Sequence, residues 1–146
     1  MKGLIDTNLL IYASAESVPQ HASARAFLDT VARDTALYAT TWINLGEYIS
    51  FTTQSFGGAP PLLSIVEALT NVSAFLTLPS IQLISEGERY WPCLQEIFQV
   101  AGAVRGAFVH DCRIAAIMRE NGVETIFTHD TAFRRIPHLT VVDPLN

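Results

Sequence analysis

The stretch Val109–Phe133, VHDCRIAAIMRENGVETIFTHDTAF, reads as helix, tight turn, strand and loop, with an aspartate near each end. Residues 108–121 hold good helix formers with neither Gly nor Pro, and Gly122 supplies the stop. Glu124–Thr128 follows as a short buried strand, and His129-Asp130 opens a loop. A helix over 108–121 runs about 21 Å and a strand of four or five residues about 13–17 Å, so an antiparallel return brings the strand's end back beside the helix's start. Asp111 and Asp130 are thereby expected to meet at one edge. Asp111 shares a helical stripe with Ala115 and Met118, so its carboxylate points along an otherwise apolar face. A lone buried acid is costly unless something compensates it.

The chain on either side repeats the alternation of strand and helix. Lys2–Ile5 reads as a strand ending at Asp6, and Asp6-Thr7-Asn8 offers cap chemistry for a helix from about Leu9. Ala24, Phe27, Leu28 and Val31 make an amphipathic helix over 20–33, headed by His21 as a solvated or capping residue. Ala36–Ala39 is a second strand, and Thr40 or Thr41 caps a helix with the apolar stripe Trp42, Leu45, Ile49 and Phe56. Glu47 lies on that helix, wedged between Ile43 and Phe51. Gly57–Pro61 is linker-like but too short to divide domains, and its prolines suit the first turn of a helix carrying Leu62, Ile65, Val66, Leu69, Val72 and Leu76. Ile81–Ile84 is a third strand, residues 86–100 a helix that Pro92 starts, kinks or divides, and Leu139–Val142 a fifth strand. Short apolar strands separated by helices predict an α/β fold with a parallel sheet.

At 146 residues, one domain over residues 1–146 is expected. Hydrophobic residues make up 49% and charged ones 16%, which leaves apolar surface over for a subunit interface. No run reaches the roughly 18 apolar residues a membrane span needs, and Asp6-Thr7-Asn8 interrupts the only leader-like segment. Cys93 and Cys112 lack metal or redox spacing, so a reducing cytoplasm with buried thiols is expected. A net charge of −5 argues against bulk electrostatic nucleic-acid binding. Nucleic acid as substrate then requires a local Arg patch or a metal, and Arg105, Arg113, Arg134 and Arg135 are the candidates for phosphate contacts or, equally, solvated helix ends.

In open α/β sheets the functional crevice lies beyond the carboxyl ends of the strands. Asp6, Glu47, Asp111 and Asp130 all fall on that edge, whereas the remaining acids fall mostly on polar helix faces or in loops. Singly, each has an ordinary account: a helix cap, a snorkelling or paired residue, a first-turn dipole partner, an Asx-turn former. Together they resist ionising unless a cation neutralises them, and Lys2, the only lysine, has no evident partner there. Hard oxygen donors without a local Cys suit Mg²⁺ or Mn²⁺ rather than Zn²⁺. Such a site suits phosphodiester hydrolysis, because the ion can activate water and neutralise phosphoryl charge without a side-chain nucleophile. Thr128, just before Asp130, is placed to hydrogen-bond a carboxylate and hold the shell.

Leu4-Ile-Asp6-Thr-Asn8, Asn44-Leu-Gly-Glu47, His110-Asp111 on an Ala-rich helix, and Thr128-His-Asp130-Thr-Ala-Phe133 together resemble the PIN domain, most closely the VapC-type toxins of bacterial toxin–antitoxin pairs. The resemblance covers essentially the whole chain. It implies a Rossmann-like three-layer α/β/α sandwich with a five-stranded parallel sheet of order 3-2-1-4-5, and Mg²⁺- or Mn²⁺-dependent endoribonuclease activity on RNA. It carries the acidic quartet onto Asp6, Glu47, Asp111 and Asp130, and the supporting hydroxyl onto Thr128. It further implies a homodimer and a cognate antitoxin that inserts a segment, often bearing an Arg, into the acidic site. Pro92 departs from a helix often continuous in relatives, and few cationic residues surround the site.

Two other classes compete. A non-catalytic PIN-like binding module would use the same edge for docking, and metal-dependent cleavage separates it from an enzyme. A phosphoaspartyl phosphatase of the haloacid dehalogenase type needs a second aspartate two residues after the first, where this chain has Asn8. A two-component receiver needs an acidic pair and a late strand-end lysine, both missing here.

Overall fold

Period-two alternation along each short strand decides what covers the two faces of the sheet. In the computed structural model, which describes residues 1–146, the strands are β1 (Gly3–Ile5), β2 (Tyr38–Thr40), β3 (Ile81–Leu83), β4 (Thr125–Phe127) and β5 (Thr140–Val142). They form one parallel sheet of order β3-β2-β1-β4-β5. Leu4, Ala39 and Ile126 point to one face, covered by α5 (Tyr90–Val100) and α6 (Phe108–Glu120). Ile5, Tyr38 and Phe127 point to the other, packed with α1 (Thr7–Ser14), α2 (His21–Arg33), α3 (Trp42–Thr52) and α4 (Ile65–Leu76). The result is the α/β/α sandwich and strand order expected. Gly3 is required in β1, since a Cβ there would meet the Thr125 carbonyl at 2.7 Å and the Phe127 ring at 2.8 Å.

Several local readings change. Pro92 sits in the first turn of α5, where its missing N–H costs nothing, so it starts the helix at Tyr90. α4 begins at Ile65 rather than at the prolines, because Ser64 and Glu67 form a reciprocal capping box. Its buried positions are Ala68 and Val72, while Leu62, Ile65, Val66 and Leu69 face outward. On α3 the stripe is also rotated: Asn44, Leu45, Tyr48 and Thr52 are buried, Trp42 is 59% exposed, and Phe56 lies beyond the helix. Hydropathy alone misplaces that face because two of its buried residues are polar: Asn44 donates to Asp6, and the Thr52 hydroxyl donates to the Tyr48 carbonyl one turn back in the same helix. No helix is long and apolar enough to cross a membrane.

Candidate active site

Backbone pairing carries the site's first residues together. Beyond the last residue of β1, the Asp6 N–H donates to the Phe127 carbonyl at 3.0 Å, and beyond β4 the Thr128 N–H donates to the Val142 carbonyl at 2.9 Å. Asp6 and Thr128 therefore emerge side by side at the carboxyl edge. The Asp6 carboxylate is 5% exposed and accepts from the Thr7 N–H (2.8 Å) and Asn44 Nδ2 (3.1 Å) on one oxygen. On the other it accepts from Thr128 Oγ1 (2.7 Å) and Asn8 Nδ2 (3.4 Å). All four donors are neutral. Burial raises its pKa to about 6 against the lowering effect of the Thr128 and Thr7 hydrogen bonds, with the charges of Glu47 and Asp130 adding to the rise.

Asp111 lies on the first turn of α6, half-buried, above the fully packed Ala115 and Met118. Its pKa is raised to about 7, first by burial and then by the charges of Asp6, Asp130 and Glu47, with no hydrogen bond offsetting them. Glu47 is exposed on α3 rather than wedged between apolar neighbours, but its pKa is also raised, with burial the largest cause. The nearby Thr7 hydroxyl, together with His110 and Arg113 on α6, pulls it the other way. Asp130 is exposed, caps the short 3-10 helix Thr131–Arg135 by accepting from the Ala132 N–H at 2.9 Å, and donates its own N–H to Thr128 Oγ1 at 2.9 Å. The expected quartet thus shares one edge and one electrostatic environment.

No member of the quartet is paired with a cation. The ion pairs of the chain are Lys2–Asp34, Arg25–Asp29, Arg113–Glu86, Arg119–Glu96 and His129–Asp143. As placed, no three acidic, histidine or cysteine side chains converge closely enough to enclose one ion. The donor set still fits a hard divalent cation. Within it Asp6 and Asp111 are carboxylates that burial and neighbouring negative charge hold above their ordinary pKa, and Mg²⁺ keeps several waters and takes only one or two protein carboxylates directly.

Two residues of the sequence motifs, given no part in the site by the sequence, support it. Asn44 is completely buried at the start of α3, donating to Asp6 and to Thr7 Oγ1 (3.1 Å) while accepting from Thr41 Oγ1 (2.7 Å). Asn8 donates to Asp6 and Thr128 Oγ1 (3.1 Å) and accepts from the His129 N–H (3.3 Å). The available signal was a polar residue at a position where the helical pattern calls for an apolar one. Of the arginines considered for phosphate, Arg113 lies near the site, beside His110 Nδ1 at 3.3 Å, whereas Arg135 is engaged with backbone carbonyls of the α5–α6 connection.

A parallel sheet of this order with its acids at the carboxyl edge defines a Rossmann-like domain with a carboxylate site. The sequence matches the PIN domain over residues 3–139, and the chain belongs to that family. It is 26% identical over 147 residues to ribonuclease VapC48 of Mycobacterium tuberculosis, an alignment covering 100% of this chain and 99% of the relative. Its fold resembles that in the crystal structure of VapBC2 from Rickettsia felis bound to a DNA fragment from their promoter, with a TM-score of 0.67, 20% identity, and 95% of this chain and 96% of that one covered. It also resembles M. tuberculosis VapC20, described as a sarcin–ricin loop cleaving toxin, with a TM-score of 0.62, 15% identity, and coverage of 90% and 92%.

Proposed function

We propose that the chain is a Mg²⁺- or Mn²⁺-dependent endoribonuclease and the toxin of a type II toxin–antitoxin pair, acting as one PIN-like domain over residues 1–146 in the cytoplasm. The observation that carries this reading is the contrast among the acids. Asp6, Glu47 and Asp111 are held above their usual pKa with no cationic partner, while the ion-paired acids lie elsewhere. Ribonuclease relatives aligned along the full chain support the same activity.

Asp6, Glu47, Asp111 and Asp130 are the residues that would hold the ion. When bound, such an ion acidifies water and offsets charge on the phosphate. Thr128, Asn8 and Asn44 hold the Asp6 carboxylate in one orientation, so it need not reorganise when substrate arrives. Arg113, whose charge acts on Glu47 and which stands beside His110 Nδ1 at 3.3 Å, offers a contact for an RNA phosphate.

The antitoxin and homodimer readings draw on surplus apolar surface. Ile65, Val66 and Leu69 of α4 are 52%, 70% and 49% exposed, and Phe51 stacks on Phe56 at 5.0 Å in the open. A cavity of 580 Å³ runs beside α2 and α4 and is lined by Leu10, Leu28, Tyr48, Val72 and Phe75, and none of the four site acids lines it. A second copy and a partner's amphipathic segment are the covers this surface suits.

The deciding experiment incubates purified protein with total RNA in Mg²⁺, Mn²⁺ or EDTA, alongside Asp6→Asn. Cleavage is expected only for the wild type with metal. Equal cleavage by the variant or in EDTA removes the mechanism, and RNA retention without cleavage marks a binding module.

A further inference from the structure

Asp111 is carried by the first turn of α6, and Asp130 by the head of the short 3-10 helix beyond β4. α6 opens at Phe108 with Ala107 at its cap position, which gives the helix no side-chain hydrogen bond. The connection from α5, residues 101–107, is neither helix nor strand, and turns at Gly102 (φ 80°) and Gly106 (φ 60°), both left-handed. Within it Val104 packs against the core, and a side chain from outside the segment holds its backbone.

Arg135 does so. It is the last residue of the 3-10 helix that Asp130 caps. Its Nη2 donates to the Ala103 carbonyl at 2.5 Å and reaches the Ala101 carbonyl at 3.5 Å, and its guanidinium carbon stands 3.9 Å from the centre of the Phe108 ring. Ala101 closes α5 and Phe108 opens α6, so one side chain grips both ends of the connection. Phe108 is buried, one helical turn before Asp111. The 3-10 helix is itself pinned by Phe133, which has no exposed surface, and over its length of about 10 Å its two ends move together.

We propose that Arg135 is a positioning residue for the carboxylate site: by stacking on Phe108 and tying down residues 101–107 it sets how far Asp111 stands from Asp130. This rests on those acids holding a divalent ion, as proposed above. A guanidinium is suited to the task because its face stacks on the ring while its edge donates to the carbonyls. A lysine offers neither the plane nor the fork.

Mn²⁺ affinity, measured by calorimetry on the intact chain without RNA, tests the inference, with the melting temperature in EDTA recorded beside it. Arg135→Ala and Arg135→Lys should each weaken Mn²⁺ binding by between about ten- and a hundredfold. Phe108→Leu, which keeps apolar bulk and loses the ring, should weaken it in the same direction. The double variant should lose no more than Arg135→Ala alone, because both changes remove one contact. Where Arg135→Ala fails to fold, Arg135→Lys and Phe108→Leu decide. Wild-type Mn²⁺ affinity in the variants overturns the proposal even if their melting temperature falls. So does unchanged affinity with a raised KM for RNA, which would make Arg135 a phosphate contact. A wild-type chain that binds no Mn²⁺ overturns the metal reading and this inference together, an outcome distinct from wild-type-like binding in the variants.

Discussion

Thr128 Oγ1 donates to Asp6 Oδ2 at 2.7 Å, joining two residues at opposite ends of the chain. The same hydroxyl accepts from Asn8 Nδ2 at 3.1 Å and from the Asp130 N–H at 2.9 Å, so its donor and both lone pairs are used. One buried hydroxyl thereby sets the position of two quartet carboxylates relative to each other.

Thr128→Val, which keeps the shape and removes the hydroxyl, leaves three partners short. We expect a stability loss of about 1–3 kcal/mol in EDTA and weaker Mn²⁺ binding, both largely recovered by Thr128→Ser. Urea denaturation and calorimetry check this. Equal defects in the Ser and Val variants would show that the methyl group, not the hydroxyl, matters.

Asp111 and Asp6 should respond differently to neutralisation. The folded pKa of Asp111 is raised from the ordinary 3.8 to about 7, so between these values the folded state binds more protons than the unfolded one, and stability falls as pH rises through that window. In EDTA, Asp111→Asn should therefore match the wild type near pH 4 and melt higher at pH 8, with the gap opening between. Asp6→Asn should gain less, because both Asp6 oxygens accept hydrogen bonds and an amide nitrogen would face donors. Thermal melts across pH decide it, and a lower melting temperature for Asp111→Asn at pH 8 would make Asp111 a structural residue.

Much of this was legible in the sequence because it depends on short-range pattern. The stripe through Asp111, Ala115 and Met118 faces inward as its spacing requires, and Asp6 follows β1 where the apolar run stops. Most of what failed depended on a partner distant in the chain. Trp42 and Phe56 looked like core by hydropathy, yet the side of α3 that turns inward is chosen by Asn44 reaching Asp6. Arg135 looked like a free cation until its carbonyl partners and the Phe108 ring came into place. The capping box at Ser64 and Glu67 is local and readable, and it outweighs the helix-starting preference of the prolines upstream.

Metal binding should release protons. With Asp6 at about 6 and Asp111 at about 7, both are partly protonated below neutrality, and an ion needs them ionised. Mn²⁺ affinity should rise with pH up to about 7 and then level, and saturating Mn²⁺ at about a hundred times its Kd should add about 2.7 kcal/mol of stability. Calorimetry in buffers of different ionisation enthalpy counts the protons; an affinity flat from pH 5 to 8 would mean that neither carboxylate takes part.

Asn44 gives a sharper version of the same test. Its amide donates to the charged form of Asp6 and to Thr7, and its carbonyl accepts from Thr41, all with no solvent access. A donor to a carboxylate favours ionisation, so removing it raises the pKa. Asn44→Leu should therefore move the rise of Mn²⁺ affinity to higher pH, whereas a defect of packing alone would lower affinity equally at every pH. Asn44→Asp should move it further, by placing a second negative charge about 3 Å from the first in the low dielectric of the interior. The pH midpoint of Mn²⁺ binding in the three proteins is the measurement. Identical midpoints would confine Asn44 to holding α3 in place and leave the Asp6 charge to be set by burial, Thr128 and the Thr7 N–H.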